Sequence, residues 1–101
     1  MIVKSDTSTM TLFLESRIDS GNAADIESEL FSAVNSKGST ISSIVIDASA
    51  LEYISSAGLH VLMKLRKSLN GILPVINVPV DIYELFDNIG FTEILDVKKA
   101  S

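Results

Sequence analysis

With 101 residues, 47% of them hydrophobic, the chain is long enough for one domain with its own core. It has no cysteine, which excludes disulfides, thiol nucleophiles and zinc–thiolate sites, and its net charge of −5 argues against nucleic acid as a partner. No apolar run approaches the ~18 residues of a membrane span, and "MIVKSDTSTM" lacks the basic start and long apolar stretch of a signal peptide, so a cytoplasmic protein without membrane insertion is expected.

In chain order, "MIVK" reads as an additional first strand. "MTLFLESRI" alternates with the period of a strand, Met10, Leu12, Leu14 and Ile18 pointing one way. "IDSGNAAD" carries turn formers, with Ser20 or Asn22 as the cap of a helix. That helix has an apolar stripe of Ala23, Ile26, Leu30, Ala33 and Val34, and Gly38 is its expected left-handed terminator. "ISSIVIDAS" contains the continuous β-branched run Ile44, Val45, Ile46, the pattern of a parallel strand buried on both faces.

"AGLHVLMKLRKSLNG" is the second helix. Leu59, Leu62, Met63, Leu65 and Leu69 form its buried side, His60, Lys64 and Lys67 a wet basic stripe, and Gly71 its close. "ILPVINV" is a strand in which Pro74 belongs at an edge, a bulge or the beginning. "VPVDIYELFDNIGF" is a third helix, with Pro79 in its first turn, Val80, Leu85, Phe86 and Ile89 toward the core, and Gly90 with Phe91 as its stop. "EILDV" reads as a last short strand, and residues 98–101 should fray. Strands and helices alternate after a hairpin-like start, which implies an α/β domain. The expected architecture is a mostly parallel sheet of four to five strands with three to four helices.

Catalytic chemistry finds no foothold. The single histidine, His60, falls on a polar helix face, where a solvated side chain is expected rather than a metal ligand. It could reach Ser56 four residues earlier, but a triad also needs an oriented acid and an oxyanion pocket, and nothing marks either. Neither GxGxxG nor GxxxxGK is present, and the 13 carboxylates are scattered. No metal, cofactor or enzyme activity is expected.

The pair Ser55–Ser56 remains. Serine is abundant, 15 of 101 residues, and one serine before a helix is explained by capping, worth about 1 kcal/mol. Capping does not explain two, nor the small pair Ala57 and Gly58, since glycine in a first turn weakens a helix by up to ~1 kcal/mol. Small residues keep the helix start uncrowded, open to the active site of another protein. Free N–H groups and the helix dipole favour an anion there, so a phosphate of about −1.5 to −2 charge would be accommodated.

The segment "IVIDASALEYISSAGLHVLMKLRKSL" resembles the core of STAS domains, in particular bacterial anti-sigma factor antagonists. These carry Asp-Ser-Ser/Thr-Gly-Leu, or the variant Ser-Ser-Ala-Gly-Leu, at a helix start. "LESRIDSGNAADIESEL" and "INVPVDIYELFDNIGFTEIL" are similar to the family's upstream segment and its closing helix and strand. The resemblance implies a single STAS domain over residues 1–101. It implies a module that binds an anti-sigma factor serine kinase when unphosphorylated, releasing a sigma factor, and that the kinase switches off by phosphorylation, with a serine phosphatase reversing it.

The acceptor position falls on Ser56. Ser55 stands in the place of the motif's aspartate and is the second candidate, and Gly58 takes the motif's glycine. Asp19 matches the upstream acidic residue, near the acceptor in the fold, and Asp47 the polar residue at a strand end. Ser16 stands where the family prefers glycine. Asp19, Asp47, Ser55, Ser56, Ala57, Gly58 and His60 are the expected partner-binding residues. The alternative is a STAS adaptor subunit of a transporter or signalling complex that is not phosphorylated, with Ser56 only capping.

Overall fold

A computed structural model describes residues 2–38, 40–69 and 71–100. Strand β1 (Ile2–Ser5) pairs antiparallel with β2 (Thr9–Phe13), and the turn between them is closed by Asp6, whose Oδ1 accepts the N–H groups of Ser8 and Thr9. There follow β3 (Arg17–Ile18), α1 (Ala23–Asn35), β4 (Ser43–Asp47), β5 (Tyr53–Ile54), α2 (Ser56–Leu69), β6 (Pro74–Val78), α3 (Val80–Asn88), a 3₁₀ turn (Phe91–Glu93) and β7 (Asp96–Lys99). The main sheet runs β1-β2-β4-β6-β7 and is parallel except for β1; β3 and β5 make a separate parallel pair. This is an α/β domain with three helices on a mostly parallel five-stranded sheet.

The pleat sorts the sheet residues. Met10 pairs with Ile44, Leu12 with Ile46 and Ile46 with Val75, and all five are buried. Ile26 and Leu30 of α1, Val61, Leu62 and Leu65 of α2, and Ile82 and Phe86 of α3 close over them in one core. Each such side chain contributes roughly 1.5–3 kcal/mol by leaving water. Val45, on the opposite face, is only half-buried, so the sheet's second face is less covered than the run Ile44–Ile46 suggests.

Several local expectations change. "MTLFLESRI" is not one strand: Leu14 donates its N–H to the Asp47 carbonyl, and beyond it the Ser16 carbonyl accepts the N–H groups of Glu52 and Tyr53, steering the chain into the β3–β5 pair. Helix α1 ends at Asn35 without glycine; Ser36 at its C-cap has φ −97°, and Gly38 is exposed and not left-handed. Gly71, expected to close α2, follows Asn70, which lies outside the described residues.

On α2 the buried positions are Gly58, Val61, Leu62 and Leu65, while Leu59, Met63 and Leu69 are half-buried. On α3, Ile82 takes the core position, while Val80 and Ile89 are exposed. A nine-residue helix offers a narrow buried stripe, and the 82/86 spacing of four fills it. Gly90 does act as a stop at φ 84°, and Phe91 folds back to stack its ring 5.7 Å from that of Phe86. The last strand starts at Asp96, after the 3₁₀ turn, and includes Lys98 and Lys99, with Lys99 paired to Val78; Ser101, also expected to fray, lies outside the described residues. Pro74, which cannot donate to a ladder, is the first residue of β6.

Candidate functional site

The short pair β3–β5 assembles the site. Arg17 lies beside Tyr53 and Ile18 beside Ile54; the Ser55 N–H then donates to the Ile18 carbonyl at 2.8 Å. Asp19 is the next residue after Ile18, whose carbonyl holds the first serine of the pair. The Arg17 guanidinium also lies 4.3 Å over the Tyr53 ring, clamping the two strands from outside.

The two serines divide the work. Ser55 precedes the first helical residue and caps α2 through both of its oxygens: its carbonyl accepts the Leu59 N–H at 3.0 Å, and its hydroxyl accepts the Gly58 N–H in a long 3.4 Å bond. Ser56 is the first residue of the helix and is exposed. Its hydroxyl makes no hydrogen bond among the described residues, and the N–H groups of Ser56 and Ala57 have no acceptor there. No acidic residue occupies the first turn of α2.

Gly58 has an internal reason for its size. A Cβ at this position would meet Ile18 Cγ2 and Ile54 Cγ1, each at 2.7 Å. The helix start therefore sits directly on the β3–β5 pair, and glycine is required by packing inward, not by room for a visitor outside.

The start of α1, by contrast, is filled by its own side chains. Asp19 Oδ1 accepts the N–H groups of Gly21 (2.9 Å) and Asn22 (3.2 Å), and its Oδ2 accepts Arg17 Nε at 2.8 Å. Asn22 is the N-cap by position but does not cap with its side chain: its Oδ1 accepts the Asp19 N–H and its Nδ2 donates to the Arg17 carbonyl, both at 2.8 Å. The Arg17 hydrogen bond, followed by the Gly21 N–H, holds the Asp19 carboxyl below its ordinary range.

Asp47 ends β4 as a buried carboxylate. Burial pushes its pKa up, but the Ser49 N–H and hydroxyl and the Asn77 amide outweigh it and hold the group below the usual value. Ser49 N donates to Oδ1 at 2.8 Å and Asn77 Nδ2 to Oδ2 at 2.9 Å. Asn77 sits at φ 56° beside an irregularity in the β6–β7 register, in the left-handed region that asparagine tolerates better than other non-glycine residues. Asn77 is not among the residues expected to matter from the sequence, although an asparagine within an otherwise apolar strand is a visible signal. Together the pair pins the loop 48–51 that leads into β5.

His60 is exposed and, with Ala57, lines a shallow groove of about 370 Å³ between α1 and α2, shared with Ser20, Ala24, Glu27 and Lys64. Lys64 spans it to Glu27 at 3.2 Å. Ser56, Ala57 and His60 thus share one accessible edge, Ile18, the residue before Asp19, is bonded to Ser55 beside it, and Asp47 stays at the end of β4 with Ser49 and Asn77.

An α/β domain with an open helix start set on a mostly parallel sheet is the class these features define. The chain belongs to the STAS domain family, whose model matches residues 1–101. Its sequence is 36% identical over 90 residues to the Bordetella bronchiseptica protein named "Putative anti-sigma factor antagonist BtrV", covering 86% of this chain and 75% of that protein. It is thus a STAS domain of the anti-sigma factor antagonist type, a regulatory protein and not an enzyme.

Proposed function

We propose that this domain is a switchable antagonist. Unphosphorylated, it binds an anti-sigma factor that is itself a serine kinase and so frees a sigma factor; phosphorylated on Ser56, it lets go, and a serine phosphatase restores it. This partnership implies a cytoplasmic protein. The observation that carries the reading is the unequal state of the two serines: Ser55 is engaged as cap, while the Ser56 hydroxyl is exposed and unbonded at a helix start with free N–H groups.

A phosphate there would meet those N–H groups and the positive end of the helix dipole, so the domain would remain folded and the change would fall on the partner. The edge formed by Ser56, Ala57 and His60, with Asp19 beside it, is the docking surface in this reading. Asp47 contributes indirectly, by fixing the loop 48–51 that leads to β5.

The test is incubation of the domain with its cognate kinase and ATP, followed by mass spectrometry. Phosphate on Ser56 is the expected result. A domain that binds the kinase yet gains no phosphate on Ser56 or Ser55 overturns the switch and favours an adaptor working through constitutive contact. Ser56→Asp should weaken kinase binding, and Ser56→Ala should retain it.

A further inference from the structure

The far end of α2 carries a second feature that the Ser56 edge does not use. There Arg66, Lys67, Gly71, Ile72 and Ile94 line a surface groove of about 490 Å³. Its walls differ in kind. One is cationic, in a chain whose net charge is −5. The other is aliphatic, with Ile72 76% and Ile94 37% exposed. The Arg66 Nε–H is shut off from water and has no acceptor among the described residues, an arrangement that folded proteins seldom leave standing.

The bland explanation covers part of this. Arg66 and Lys67 occupy the last turn of α2, where cations complement the helix dipole. That accounts for the charges but not for an Nε–H facing no carbonyl, nor for two isoleucines left in water beside it. Of nearby carboxylates, Asp96 pairs with Lys98 at 4.0 Å, and Glu93 is not part of the lining.

We propose that this groove is a second protein-docking site, for a partner segment in which carboxylates alternate with branched aliphatic side chains. Arg66, half-buried, would turn its guanidinium outward so that a carboxylate takes its N–H groups beside the Lys67 ammonium, and the aliphatic groups would cover Ile72 and Ile94. Charge complementarity selects this occupant over a basic or purely apolar one. Arg66 lies ten residues beyond Ser56 on the same helix, about 15 Å away at 1.5 Å per residue. The domain could then hold one partner at its switch edge and another at this groove. The site stands apart from the proposed phosphorylation of Ser56.

The test is a nuclear magnetic resonance titration of the whole domain with an acetylated, amidated peptide of alternating leucine and glutamate, set against its leucine–glutamine counterpart. The acidic peptide should shift the Arg66 Nε–H and the Ile72 and Ile94 methyl signals. Binding should weaken on the order of ten-fold with the glutamine peptide or with Arg66→Gln, the loss of one charged hydrogen bond. Ile72→Ser, at a solvent-facing position, gives a second variant that should weaken binding without disturbing the fold. Ser56→Asp should leave the affinity unchanged, whether or not Ser56 is ever phosphorylated.

Equal binding of both peptides overturns the proposal, as does an unmoved Arg66 Nε–H at millimolar peptide. So do the same shifts produced by raising the domain concentration alone, which would mean a second copy, or by phosphatidylglycerol vesicles but not the peptide, which would mean a membrane.

Discussion

The domain sets two helix starts side by side and finishes them in opposite ways. At α1, Asp19 and Asn22 exchange four hydrogen bonds with the Arg17–Asn22 turn, and Arg17 closes the carboxylate from outside. At α2, one long bond from the Gly58 N–H to the Ser55 hydroxyl is the only side-chain cap among the described residues. Both starts hang from the same pair of short strands, so the difference does not come from their setting. It comes from which side chains are supplied: the first start holds its own anion, and the second holds none. A helix start that lacks an anion is the one able to receive a phosphate.

Changes at the base of the open start should have the largest effects. Gly58→Val forces atoms into Ile18 and Ile54, which a Cβ alone would already meet at 2.7 Å. A loss of about 3 kcal/mol in denaturant unfolding is expected, although leaving glycine should by itself favour a helix. A variant as stable as the parent would mean that α2 does not rest on β3 and β5 as described.

Asp47→Ala should be next, at about 2 kcal/mol, because it removes an acceptor of charge-assisted bonds from the Ser49 and Asn77 groups. Asp47 also sets a pH dependence. Its folded pKa lies below the ordinary 3.8, so its contribution is fully present above that value and is lost as pH falls through it toward the depressed folded value. In Asp47→Asn the acid limb of the stability curve should flatten. An unchanged limb would assign it to Asp6 and Asp19, the other depressed carboxylates.

Periodicity made the order of elements legible, and the "YISSAGL" likeness pointed to the candidate site. Most of what escaped was decided by contacts between distant segments. Gly38 looked like a helix terminator, but α1 stops earlier with no left-handed residue, since Ser36 and Lys37 can bond back to the Ser32 and Val34 carbonyls from ordinary conformations. Gly58 looked like clearance for a partner, and its reason lies beneath the helix in Ile18 and Ile54, residues 40 and four positions away in the chain. Asn77 was invisible as a partner of Asp47 because 30 residues separate them and only the β4–β6 pairing brings them together. Local rules placed the helices but misplaced some of their caps and buried positions, and they carry no information about what a small or polar residue will face across the fold.

The smallest expected effect is the most pointed. If Ser55 alone caps α2, Ser55→Ala should lower stability by about 1 kcal/mol or somewhat less, since the bond it loses is long. Ser56→Ala removes an exposed hydroxyl with no partner and should fall within about 0.5 kcal/mol of the parent. The two curves, measured by urea unfolding in the same buffer, separate a serine kept for the fold from a serine that the fold does not use. Equal losses would mean that the hydroxyls share the cap, and the case for Ser56 over Ser55 as acceptor would weaken with them. A neutral Ser56→Ala would leave that hydroxyl without a structural role, and a role in the exchange with a partner becomes the remaining reason for a serine at that place.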